Sequence, residues 1–291
     1  MKLTILTLLV LQFSFANAQF LIKKTGFSQL DVDEINPAFL LQNKSKEMVF
    51  TYSSKLENQR IYSEGQKKIF QINSQGLICK QFNFKSKDTT KVFYYYKNNK
   101  IVIVRAFSRN EIKSIYYTFD SIGNKIKEVH CTETNLGESE DFFKLGKQQI
   151  DWMESYHYNT LSAHQIKKST YNDQGVLFKE AILYFNDSNQ LKEENEKFVV
   201  TGVGQNIQYK YNQFGLLIEK VFASDVAGPM EEKTIFIYDS LKNLLSERFY
   251  RNDLEQHENI YFYNEISAEP EMVLTKYANK KTIAIKNIII H

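Results

Sequence analysis

The sequence predicts an all-β chain: a long antiparallel meander of about eight repeated β-hairpins, curled or coiled into a repeat, solenoid-like sheet. Three observations carry that expectation. A short phrase returns along the chain, in which an aromatic or aliphatic anchor precedes Asn or Asp, two loose residues, a Gly, Asn or Lys, and then Leu or Ile. It reads Tyr209-Lys-Tyr211-Asn212-Gln-Phe-Gly215-Leu-Leu217 in its fullest copy. The composition sets 18 Tyr and 22 Phe against 11 Gly and 3 Pro, which suits pleated, half-buried surfaces and leaves few breaks in a ladder. Between Val176 and Phe185, both alternating faces are mostly apolar, so the sheet must curl over itself or meet a second layer. About sixteen strands also exceed what an open twisted sheet holds, since curling or splitting sets in beyond roughly ten.

In chain order, residues 1–18 read as a secretory leader. Lys2 precedes an apolar run from Leu3 to Phe15, and Ala16-Asn17-Ala18 forms a small-residue cleavage site. Residue 19 is Gln, so no lipid-anchored cysteine is expected at the new N-terminus. The expected location is periplasmic, cell-surface or extracellular, without a lipoprotein anchor. Residues 19–45 lack the phrase and form an N-terminal cap or loop segment, as the terminal units of repeat proteins tend to be atypical. Residues 46–268 are the hairpin-repeat domain, opening with a degenerate hairpin around Met48–Tyr52 and Arg60–Ser63. Residues 269–291 supply an Ile-rich closing strand over Thr282–Ile290.

The repeat anchors are Ile72, Tyr96, Phe119, Tyr158, Phe185, Tyr211, Tyr238 and Tyr263, at intervals of 23 to 27 residues apart from one of 39. Each ordinary interval holds two strands and two turns. The Asn/Asp-x-x-Gly part is a tight turn, because Asn and Asp bond their own backbone and Gly accepts left-handed geometry. The second turn falls midway and varies: Lys85–Asp88, Ser108–Asn110, Thr201–Asn206, Asp225–Pro229 and Arg251–Asp253. Tyr171-Asn172-Asp-Gln-Gly175 has the phrase but sits midway, so it belongs with the variable turns. One sheet edge therefore carries uniform turns and the other variable loops, where recognition is expected. The long interval contains an insertion at about 132–155 with an acidic run, Gly137 to Asp141, then Phe142, Phe143 and the single tryptophan, Trp152.

The phrase at 209–217, 117–126 and 236–245 resembles the YD repeat of bacterial RHS-type secreted proteins. Tyr171-Asn-Asp-Gln-Gly-Val-Leu-Phe-Lys-Glu180 is similar to the MORN-related variant repeats of exported bacterial proteins. The resemblance implies β-hairpin repeats and an exported scaffold.

The chemistry readable from the residues is sparse. The formal charge of +3 falls to +2 when the leader's one lysine leaves, and Lys and Glu are mixed throughout, unlike the clustered basic face of a nucleic-acid binder. No later segment approaches the roughly 20 apolar residues of a spanning helix. Cys79 and Cys131 could pair in an oxidising compartment but do not make a disulfide framework. The five histidines are scattered, and no nucleophile elbow, zinc helix or phosphate loop is present. No catalytic residue, metal ligand or cofactor is expected. The expected function is binding or scaffolding at a bacterial envelope, with a protein or glycan partner. The candidate binding residues are Trp152 and Phe142 in the insertion, and Tyr94, Tyr96, Tyr209 and Tyr211, which alternate onto one sheet face. Those tyrosines are either cross-strand ladders of a packed sheet or a wet binding surface for sugars or a protein. An envelope hydrolase with an unrecognised site is the remaining alternative.

Overall fold

The computed structural model describes residues 21, 35–85, 88–108, 111–226, 228–278 and 280–291; the leader lies outside them. Among the described residues, one short helix, α1 (Pro37–Gln42), precedes eighteen strands. These are β1 (Glu47–Leu56), β2 (Tyr62–Ile72), β3 (Ile78–Lys85), β4 (Asp88–Lys97), β5 (Lys100–Ser108) and β6 (Glu111–Phe119). Then come β7 (Lys125–Asn135), β8 (Leu145–Ser162), β9 (Gln165–Tyr171), β10 (Leu177–Phe185), β11 (Leu191–Phe198) and β12 (Gly204–Tyr211). The last six are β13 (Leu217–Ser224), β14 (Met230–Tyr238), β15 (Leu244–Arg251), β16 (Leu254–Tyr263), β17 (Pro270–Tyr277) and β18 (Thr282–Ile290). Every strand pairs antiparallel with its neighbours in sequence, and β18 pairs with β1 from Met48↔Ile290 to Leu56↔Thr282. The chain is therefore a closed up-and-down barrel, not the curled or coiled, solenoid-like repeat sheet the sequence suggested. Closure removes both edges of an eighteen-strand meander, each of which would otherwise expose a row of unpaired backbone groups.

The repeated phrase builds the tight turns at one end of the barrel. Asn212 Oδ1 accepts from the amides of Phe214 and Leu216 at 2.9 and 3.0 Å, and Gly215 takes φ +76°. Asn73, Asp120 and Asn186 repeat the arrangement, and Asn172 uses it on the opposite edge. The anchors have a second task. Tyr96, Tyr158, Tyr211, Tyr238 and Tyr263 each donate a hydroxyl hydrogen bond to the carbonyl opening the preceding strand: Ile78, Lys125, Leu191, Leu217 and Leu244, at 2.7 to 3.1 Å. All five tyrosines among the anchors thus tie one tight turn to the next. Burial pushes the phenols of Tyr158 and Tyr211 up to about 12, so they remain donors at any physiological pH.

A closed sheet with one short helix beside it hides side chains chiefly in its lumen. The main apolar cluster occupies that space, drawing Phe50, Phe70, Tyr94, Val104, Ile207, Tyr209, Phe236 and Tyr261 from strands on opposite walls. Asn36 caps α1, with Oδ1 accepting from the Ala38 amide at 3.0 Å, and the helix sends Phe39 and Leu40 into the cluster. The helix rests on the β2–β3 turn. At Gly76, φ is +76° and a Cβ would lie 2.3 Å from the Pro37 carbonyl oxygen, so both the conformation and the contact require glycine.

The outer wall carries ion pairs across neighbouring strands: Lys167–Glu180 at 2.7 Å, Arg248–Glu258 at 2.8 Å and Lys210–Glu219 at 2.5 Å. The same outer wall also presents exposed apolar side chains, among them Ile237, Phe262 and Ile289. Among the described residues, no helix is long and apolar enough to cross a membrane.

The insertion makes the wall uneven. β8 pairs with β9 only from Ser155 onward, so Leu145–Glu154 is held by β7 alone and stands clear of its neighbour. Register shifts near Gly146 and Asp151 bend this free edge, which blunts it against pairing with another chain. The loop at the tip folds back over the outer wall. There Phe143 packs on Phe93 and Phe107, and Lys91 binds Asp141 at 2.9 Å and Glu140 at 3.3 Å. Cys79 and Cys131 are free thiols.

Candidate functional site

The lumen is not filled evenly, and the gap lies between β16, β17, β18, β1 and β2. Two transverse rows of inward side chains cross these strands. One row runs Tyr261–Val273–Lys286–Tyr52 and the next runs Asn259–Thr275–Ala284–Ser54. The first row is bulky. The second is small at its centre, because Ala284 and Thr275 stand opposite each other. The result is a cavity of about 340 Å³ lined by Tyr52, Tyr261, Tyr277, Asn259, Thr275 and Lys286, with Glu64 completing it from β2. Its floor is fixed by Val273 of the apolar cluster.

The polar groups of this cavity are held in place by one another. The Thr275 hydroxyl donates to Asn259 Oδ1 at 2.7 Å, and Tyr261 donates to Glu247 Oε2 at 3.0 Å. Ser54 donates to Glu64, and the Lys286 ammonium lies 5.0 Å from the Phe50 ring centre. Tyr277, which lines the cavity, is 36% exposed, with the tilted His257 ring centred 6.1 Å away and the Lys280 ammonium 5.0 Å from its ring centre. Amide, hydroxyl, carboxylate and ammonium groups thus converge within three aromatic walls. That combination suits recognition of a small, hydroxyl- or amide-rich molecule. Among the described residues, no group of three or more His, Cys, Asp or Glu is placed to hold a metal ion.

The part of the lumen across β7 to β11 is charged. Glu128 is buried, receives Lys125, and lies 2.8 Å from His130 Nε2. Burial opposes its ionisation, but the hydrogen bonds from His130 and Lys125 outweigh that cost and hold its carboxyl below the usual range. Tyr156 donates to Glu154 at 2.7 Å, and Lys179 pairs with Glu196 at 2.9 Å. Burial pushes the Glu194 carboxyl up, with Glu196 adding to the shift and Lys168, Lys179 and Lys220 opposing it.

The six residues singled out from the sequence do not assemble into one surface. Tyr94 and Tyr209 are buried in the lumen, and Tyr94 donates to Gln81 at 2.7 Å. Tyr96 and Tyr211 are spent on the turn-to-turn hydrogen bonds. Phe142 is 79% exposed at the folded-back loop, whereas Trp152 is 41% exposed and stacks on His130 with ring centres 3.9 Å apart. The cavity residues Tyr52, Asn259, Thr275 and Lys286 were not singled out. Tyr261 stands two residues before the repeat anchor Tyr263, and the others meet through cross-strand register.

No protein-family model and no curated protein matches the chain. Solved structures do resemble it in part. A porin-like protein from Bacteroides uniformis ATCC 8492 aligns at 8% identity and TM-score 0.37, covering 85% of this chain and 98% of that one. A porin-like protein from Bacteroides vulgatus ATCC 8482 aligns at 10% identity and TM-score 0.32, covering 72% and 96%. A TcdB2-TccC3-Cdc42 structure aligns at 11% identity and TM-score 0.30, covering 79% of this chain and 15% of that one. Likeness at this level carries no argument about activity.

Proposed function

We propose that this chain is an exported, non-catalytic binding protein of the bacterial envelope that encloses a small polar ligand in its barrel lumen. The observation that carries this reading is the tyrosine-lined cavity of about 340 Å³ between β16 and β2, at the lower end of the usual ligand-site range of roughly 300–1,000 Å³. Export is supported by the charge, apolar run and small-residue site of residues 1–18. The absence of a catalytic role is supported by the carboxylates at the site: Glu64 already accepts from Ser54 and Glu247 from Tyr261. A second reading, capture of a protein partner, is favoured by Trp152, which is exposed beside the free edge of β8.

The test is calorimetric titration of the mature protein with monosaccharides and free amino acids as probes. Saturable binding is expected from at least one probe class. Ala284→Phe, which fills the cavity, should abolish it, and Tyr277→Ala in its lining should weaken it. Binding that survives Ala284→Phe, or no binding by any probe, would overturn the proposal.

A further inference from the structure

The outer wall holds a second cavity of a different kind. Over β9 to β14 it forms an open groove of about 810 Å³. Its floor includes a single transverse row of side chains crossing six strands: Lys167, Ile182, Asn195, Asn206, Ala223 and Glu231, each the register partner of the next. We infer that this row is a binding site for a linear, neutral polysaccharide lying across the strands.

Three features point to that ligand class. The centre of the row is a rigid amide pair. Asn195 and Asn206 donate to Glu193 Oε1 at 3.0 and 2.7 Å, and Asn206 also donates to Asn195 Oδ1. Side-chain amides fixed in this way still offer lone pairs and protons to ligand hydroxyls. The charges are balanced: Lys167 is tied to Glu180 at 2.7 Å, and Lys197 shares the groove with Asp225 and Glu231. A polyanion therefore finds no cationic track here. The third feature is spacing. Neighbouring strands lie about 4.8 Å apart, close to the rise of one sugar in an extended pyranose chain, whereas an extended peptide rises only about 3.3 Å per residue. A glycan crossing the strands therefore meets one side chain of the row per sugar, and a peptide falls out of step. Ala223, small at its place in the row, leaves depth for a ring beside the amides.

The site is separate from the lumen cavity, on the opposite face of the sheet, so the two can fail independently. The experiment titrates the mature protein with soluble cello-, xylo- and malto-oligosaccharides of increasing length. Affinity in at least one series should rise with each sugar to about five or six residues, the span of the row, and then level off. Asn206→Ala should weaken binding about tenfold, the size of one lost hydrogen bond to a bound ligand, and Ala223→Phe, which fills the depth beside the amides, should abolish it. Thermal unfolding should be close to wild type in Ala223→Phe, whose side chain lies on the outer face, and slightly lowered in Asn206→Ala, which loses its hydrogen bonds to Glu193 and Asn195. Ala284→Phe in the lumen should leave the affinity as it was. No saturable binding in any series, affinity independent of length, or loss through Ala284→Phe with none through Asn206→Ala would each overturn the inference.

Discussion

The two parts of the lumen are built on the same strand alternation yet filled in opposite ways. From β12 through the β18–β1 seam to β5, inward positions carry Phe50, Phe70, Ile207, Phe236 and Tyr261, packed together around the cavity between β16 and β2. From β7 to β11 they carry Glu128, Glu154, Lys168, Glu194 and Glu196, and burial is bearable only through pairing. The apolar part gains free energy from the area it removes from water. The charged part gains little net, because desolvating each ion costs about as much as pairing returns. The difference teaches where stability resides and where pH acts on it. It also places the tyrosine-lined cavity in the apolar part, and rigid walls are what a proposed binding site there needs.

The sharpest break of that contrast is a large-to-small substitution in the apolar part. Phe70 is fully buried and meets Phe50 edge to face with ring centres 4.9 Å apart. Phe70→Ala should cost about 3–5 kcal/mol, read by urea unfolding. A loss below about 1 kcal/mol would mean the lumen collapses around the hole and that packing does not carry the barrel.

A smaller loss is expected in the charged part. Glu128→Gln removes a carboxylate that receives Lys125 and His130, and should cost about 2 kcal/mol at neutral pH. The sign follows from its lowered value in the folded state. Its contribution is complete above the ordinary carboxyl value of about 4.3 and is lost as pH falls through the folded value below it. The gap between wild type and variant should therefore close in acid. A gap that stays constant with pH would show that Glu128 acts through shape and not through charge.

How much of this could be read from the chain depends on whether the information is local. The tight turns could be read, since Asn73, Asp120, Asn186 and Asn212 close them with their own side chains. The placement of the Tyr171 copy on the variable edge could be read as well, because β9 and β10 leave room for nothing else. Closure could not. Met48 and Ile290 lie at opposite ends of the sequence, and no residue near either announces the other. The assignment of faces also escaped counting. Register shifts opposite Tyr96, Phe119, Phe185, Tyr211 and Tyr238 put one extra residue into the strand just after each turn, so counting from one strand does not give the faces of the next. Tyrosines that could equally have lined an open face end in the lumen because the sheet closes. The tyrosine-lined cavity is harder still, because it exists only where Ala284 falls opposite Thr275 and Ser54.

The smallest expected effect in the lumen has the opposite sign from the first two. Burial raises the Glu194 carboxyl in the folded state, with Glu196 adding to the shift, so folding favours its protonated form. Below the ordinary value of about 4.3, both folded and unfolded chains hold the proton and the group costs nothing. As pH rises through that value toward the folded one, the unfolded chain ionises first and stability falls; above the folded value the full penalty is present. Glu194→Gln keeps the shape and removes the charge. The variant should be more stable than wild type at pH 7, and its lead should vanish by pH 4 in paired denaturant titrations. A variant less stable at pH 7 would show that the attraction of Lys168, Lys179 and Lys220 outweighs the burial cost. The charged part of the lumen would then be a source of stability, and the contrast with the apolar part would be one of degree.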